Sequence, residues 1–220
     1  MSAAFVNRVN AFSGSLVTSL ATAATNHTTG NHLAVLIQYQ VFGPSSITDT
    51  AGNTYAACGA AVTNGGNTGV IWQAINIVGN ANNVVTVNLN APGSGYTSVT
   101  VIQSSGVDTA SPLTTYSTAT GSSTTPTSGT LSVSNGSAII TAIAENDAGA
   151  GMSGGTGYTY NNADGGNGFV GDEFKEVTTD EAASFVSANA AWYIAAASFS
   201  APGGTAPLRV RRLRLLGVGM

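Results

Sequence analysis

Hydrophobic and polar positions alternate along most of this chain, and the period is two. Leu33, Val35, Ile37, Tyr39 and Val41 fall on one face of a run, as they do on a pleated strand whose side chains point alternately up and down. Ala34 and Leu36 make the other face apolar as well, which predicts a central strand covered on both sides. Gly43-Pro44 ends the run, and Asp49-Thr-Ala-Gly-Asn-Thr-Tyr55 follows. Asp and Asn bond their own backbone there, and Gly and Asn tolerate positive φ, so the stretch predicts a tight reversal into a second strand.

Similar patterns predict strands at Ala4–Val9, Ser15–Ala23, Thr54–Ala61 and Val70–Val78. In the last of these Trp72 takes one face and Ile71, Ile75 and Ile77 the other. Val84–Asn90 is a half-buried strand with Val85, Val87 and Leu89 inward and Thr86 and Asn88 outward. Further strands are expected at Tyr96–Gln103, Leu131–Val133, Ala138–Ala144, Phe169–Val177 and Ala190–Phe199. Ser104–Gly129, with Pro112 and Pro126, reads as a long surface excursion, and Gly79–Asn83 and Ala148–Gly168 read as a turn and a second long loop. Thr179, followed by Asp180 and Glu181, is placed to cap one or two helical turns. About ten to eleven strands at this spacing predict an all-β fold, a two-sheet antiparallel β-sandwich of jelly-roll-like form with long Gly/Ser/Thr-rich loops. Residues 1–207 are read as one such domain and residues 208–220 as an arm. No repeat of fixed period stands out, which argues against a solenoid or propeller.

Composition changes the picture in two ways. Charged residues are 7% of the chain against about 25% in an average domain, so Thr, Ser, Asn and Gly must build the polar surface. The charge is also divided. Up to Pro207 two cations, Arg8 and Lys175, stand against ten acids, a net of −8, whereas Leu208–Met220 holds four arginines and no acid, a net of +4. Cys58 is the single cysteine, so no intrachain disulfide can form, and no neighbouring cation in sequence activates its thiol. The amino end lacks the basic start and apolar core of a signal peptide. No run of 18 apolar residues predicts a membrane-spanning helix.

Candidate chemistry is sparse. Gly151-Met-Ser-Gly-Gly155 fits a nucleophile-elbow pattern, but both histidines, His27 and His32, precede it. Gly149–Gly154 fits G-x-G-x-x-G without a surrounding βαβ unit. His27 and His32 lack the three or four converging ligands of a transition-metal site. Asp49, Glu145, Asp147, Asp164, Asp172 and Glu173 fall at strand ends or in loops. No cofactor is expected beyond a structural Ca²⁺, which such loop carboxylates could hold. No enzyme is expected, because no two acids are paired across a groove by sequence. Tyr158 and Tyr160 are the candidate platform for stacking a glycan. The arm offers the other candidate site: Leu208 and Val210 interleave with Arg209, Arg211, Arg212 and Arg214, a strip suited to a neighbour's sheet edge and its carboxylates. Nucleic acid is disfavoured as a partner by the acidic body.

Thr29–Leu33, Ile47–Tyr55, Ile71–Ile77, Asn83–Val87 and Ser111–Leu113, in that order, resemble a class of β-sandwich (jelly-roll or Ig-like) modules of roughly 200 residues. These modules occur in tailed-phage virion proteins and in secreted bacterial proteins. The resemblance covers about Phe5 to Ser200 and implies a fold rather than a set of catalytic residues. Secreted members carry a signal peptide and further domains, and the arm runs past the usual end. The expectation is therefore a non-enzymatic virion structural protein, assembled in the host cytoplasm, foremost a capsid decoration (cement) protein. Its expected partners are neighbouring capsid or tail subunits, including copies of itself, and no membrane. The alternative is a tail-fibre, tail-tip or secreted carbohydrate-binding module.

Overall fold

The computed structural model describes residues 1–90, 96–147 and 151–203. Among them are nineteen strands in five antiparallel sheets and no helix. The first half of the chain contributes β1 (Ala4–Ser13), β2 (Ser19–Ala21), β3 (Thr25–His27), β4 (His32–Gln40), β5 (Pro44–Asp49) and β6 (Ala56–Ala57). It continues with β7 (Val62–Asn64), β8 (Asn67–Ala74), β9 (Asn80–Asn83), β10 (Val85–Leu89) and β11 (Thr97–Ser105). The second half contributes β12 (Leu113–Ser123), β13 (Thr127–Leu131), β14 (Ala138–Asn146), β15 (Ser153–Gly154) and β16 (Thr159–Asn162). It closes with β17 (Val170–Val177), β18 (Glu181–Val186) and β19 (Ala190–Ser200).

The two halves repeat one topology. The large sheet of the first half runs β1-β11-β4-β8-β6, with β7 also on β8, and its small sheet runs β2-β10-β5. The second half has β12-β19-β14-β17-β16 and β13-β18-β15. Leaving aside the short β3, β7 and β9, each half is an eight-strand chain laid out 1-8-3-6-5 over 2-7-4. That is the winding of a jelly roll with its fifth strand moved onto the larger sheet. The repeat is one of topology and has no fixed period in residues: the step from first to third strand is Ala4 to His32 in one half and Leu113 to Ala138 in the other.

Three apolar clusters bind four layers. Leu33, Val35 and Ile37 of β4 join Val85, Val87, Val99 and Val101 between the first half's sheets. Ile140, Ala142, Ile194, Ala196 and Phe185 fill the equivalent space in the second half. The third cluster is the seam between the two large sheets, where Ala34, Leu36, Ile71 and Ile102 meet Ile139, Ile143, Ala195, Ala197 and Phe199. β4 and β14 are therefore covered on both faces, which is why their sequences are almost unbroken apolar runs. The alanines of β19 leave little side-chain bulk between the sheets they separate.

Several expectations need correction. Four stacked layers replace the single two-sheet sandwich, and nineteen strands replace ten or eleven, because strands of two to four residues carry too little pattern to read. Gly79–Asn83 is largely the strand β9. Ser104–Gly129 contains β12, an eleven-residue edge strand paired along β19. Its threonines and serines suit a half-exposed pleat but give no apolar alternation. Thr179–Ser184 forms no helix; the segment runs into β18, whose Ala183 and Phe185 pack into the second half's interior, and that burial outweighs a weak local signal. β15 and β16 lie within the second expected loop. Val41 leaves the face predicted for it: β4 ends at Gln40, and Val41 turns outward with φ 63° and 65% exposure. The shared face of Ile71, Ile75 and Ile77 also fails. β8 ends at Ala74, Asn76 takes φ 48°, Ile75 is 40% exposed, and Ile71 and Ile77 enter different clusters.

Candidate functional site

Strand parity decides what meets at the seam. On β4 the seam side carries Ala34, Leu36, Gln38 and Gln40; on β14 it carries Ile139, Thr141, Ile143 and Glu145. Both rows turn from apolar to polar towards the same end of the molecule. There a cleft of about 200 Å³ opens between the halves. Gln38, Gln40, Asn67 and Tyr96 line it from the first half, and Glu145, Asp147, Asp164, Phe169 and Val170 from the second.

Asn67, at the start of β8, ties the two halves together. Its Nδ2 donates to Glu145 Oε1 at 2.9 Å, and its Oδ1 accepts from Gln40 Nε2 at 2.9 Å and from Gln38 Nε2 at 3.4 Å. These bonds leave one oxygen on each of two deeply buried side chains without a protein partner. Gln38 is 1% exposed and Glu145 2% exposed, yet Gln38 Oε1 and Glu145 Oε2 make no hydrogen bond. Burial, then the neighbouring Asp147 carboxylate, push Glu145 up to about 8 against the pull of Asn67. At neutral pH Glu145 is therefore mostly a neutral acid that can donate as well as accept. Next to it the buried hydroxyl of Tyr193 also has no partner and is pushed well up, first by burial and then by the Glu145 carboxyl. Gly69 makes room for that ring, since a Cβ there would overlap it.

The other acid inside the cleft has a different job. Asp164 Oδ1 accepts from Gly168 N at 3.0 Å, and Oδ2 accepts from Phe169 N at 2.7 Å and Val170 N at 3.1 Å. It holds the turn Gly165–Gly168 and sets Phe169 at the cleft wall. Tyr96, 43% exposed, stands beside Phe169 with ring centroids 6.3 Å apart. The arrangement is a polar floor with spare hydrogen-bonding capacity, an aromatic wall and an exposed carboxylate, Asp147, at the rim.

Of the candidates from sequence, the acids Glu145, Asp147 and Asp164 meet in this cleft, and the others fall elsewhere. Tyr158 lies under Lys175 Nζ at 5.1 Å, and Tyr160 packs edge-on to Phe185 at 6.4 Å, so both rings are engaged within the second half. His27 Nδ1 meets Asn83 Nδ2 at 2.9 Å, while His32 sits in the seam on Ser104, Gln73 and the ring of Phe199. Among the described residues no three His, Cys, Asp or Glu converge as a metal ligand set. Ser153 begins the exposed two-residue strand β15. Cys58 lies just past β6, where burial pushes its thiol up to about 12. Leu208, Arg209, Val210, Arg211, Arg212 and Arg214 lie outside the described residues. No family model, curated protein or solved structure matches this chain.

The cleft had a faint signature in sequence. Glu145 directly follows an expected strand made of Ala, Ile and Thr, Ala138–Ala144, at the parity of Ile139 and Ile143. A carboxyl at such a position is a buried acid. What could not be read is that Gln38, Asn67 and Tyr96 would face it.

Proposed function

We propose that this chain is a non-enzymatic structural protein of a tailed-phage virion, foremost a capsid decoration (cement) protein, docked onto neighbouring subunits by its arm, residues 208–220. The observation that supports this reading is how the body spends its charge. Both of its cations are consumed internally, Arg8 on Asp172 at 3.4 Å and Lys175 on Glu181. Asp147, Glu176 and Asp180 remain exposed, so the body offers carboxylates to a partner and keeps its cations. The arm carries the complement, four arginines interleaved with leucine and valine. Guanidinium forks bind carboxylates in bidentate geometry, and an extended apolar strip can add to a sheet edge such as β1 or β12.

A second copy of the chain is the simplest acceptor. Light scattering of the full chain should give an oligomer that dissociates as salt is raised. A chain ending at Pro207 should be monomeric and melt at the same temperature. Equal mass for the two chains would remove the docking reading. A second reading, a carbohydrate-binding module of a tail fibre, tail tip or secreted protein, is favoured by the cleft at the seam.

A further inference from the structure

We infer that the cleft between the two jelly rolls binds one neutral sugar unit, held by Gln38 and Glu145 on the floor and by Tyr96 and Phe169 on the wall. This rests on the carbohydrate-binding reading and is independent of arm docking. Buried polar groups are almost always paired, so unpaired oxygens on two side chains of one cleft's lining, Gln38 and Glu145, which are only 1% and 2% exposed, mark where a polar ligand completes the structure. They are a matched pair. Gln38 Oε1 only accepts, whereas a neutral Glu145 donates, and a sugar hydroxyl does both.

The surroundings select against other ligands. Asp147 at the rim disfavours anions. A metal ion finds the oxygens of Asp164 already taken by three backbone N–H groups, and Glu145 favours its neutral form. The aromatic wall offers an apolar surface to the C–H face of a pyranose, the division of labour of small-molecule pockets generally. A space of about 200 Å³ admits one ring rather than a long chain, with further units extending into solvent past Tyr96.

The test is an NMR titration of the full chain, ¹⁵N-labelled, with D-glucose, D-galactose, D-mannose and N-acetyl-D-glucosamine. At least one sugar should give saturable shifts at the amides of Gln38, Asn67, Tyr96 and Glu145. Tyr96→Ala, at an exposed site, should weaken that sugar by about tenfold or more, while Tyr158→Ala leaves it unchanged. Binding should decline between pH 7 and pH 9 as Glu145 loses its proton. Asp147, Asp164 and Tyr193 also face this group, so Glu145→Gln, which keeps the bond to Asn67, is the deciding variant and should flatten the decline. Saturable binding lost in Tyr158→Ala but kept in Tyr96→Ala would overturn the seam site and leave the carbohydrate reading standing. No saturable shift with any of the four sugars would overturn both.

Discussion

Asp49 shows how much one carboxylate can hold. Its Oδ1 accepts from Asn53 N at 2.9 Å; its Oδ2 accepts from Asn53 Nδ2 at 2.7 Å, Tyr55 Oη at 2.8 Å and Asn83 Nδ2 at 2.9 Å. Burial pulls its pKa upward, but the bonds to Asn83, Asn53 and Tyr55 outweigh it and hold the group below the usual carboxylate value. Asp49→Ala strands these donors at once and should cost about 2–4 kcal/mol in urea denaturation. The buried carboxyls act the other way. Burial raises both Glu145 and Glu173 to about 8, so the folded chain keeps protons that the unfolded chain, at about 4.5, has lost. Stability therefore falls as pH rises through that interval. Burial lowers His32 to about 4, so stability is also lost as pH drops from about 6.5 towards 4. Between pH 6.5 and 8.5 the carboxyls act alone, and the melting temperature should fall across it. Glu145→Gln and Glu173→Gln should each remove about 1–2 kcal/mol of that decline. A flat profile in the unaltered protein would show that these acids are ionised in place.

Elements differ in how firmly the fold holds them. β4, β14 and β19 lie inside their sheets and are buried along most of their length, so their amides should exchange slowest with deuterium, at rates set by global unfolding. β2, β6 and β15 have two or three residues each and should exchange orders of magnitude faster. β12 is the informative case, because its composition reads as a loop while its ladder to β19 spans Leu113–Ser123. Protection at those of its amides that bond to β19 would confirm the edge strand; loop-like exchange throughout would refute it. β12 was hidden because an edge strand needs only a half-buried face, and Thr and Ser satisfy that without alternating in hydropathy. β18 was misread for a related reason: Thr179, Asp180 and Glu181 carry a local helix signal, while the force that made a strand came from Leu131, Ile140 and Ile194, far away in sequence.

For the whole molecule the seam is the decisive contact. It carries an apolar core of its own and a partly buried ion pair, the 21% exposed Arg8 with the fully buried Asp172, the latter also bonded by Thr100 and Asn161. Arg8→Met leaves a carboxylate buried without its cation and should cost about 3–5 kcal/mol, and a compensating Asp172→Leu should recover much of it. With so much apolar surface shared, calorimetry should show one cooperative transition for both halves. Two separable transitions would mean that the sandwiches fold independently and the seam is weak.

The sequence alone determined the all-β character, the central place of the run that begins at Leu33, the inward faces of Val85, Val87 and Leu89, and the reversal at Asp49–Asn53. Each follows from period two or from the turn chemistry of adjacent residues, which act over a few positions of the chain. Only the tertiary structure decided that two jelly rolls stack through their larger sheets, that Thr-rich β12 pairs with β19, and that Gln38, Asn67, Tyr96 and Glu145 surround one cleft. Those outcomes depend on which surfaces bury each other across scores of residues, and local periodicity carries no information about distant partners.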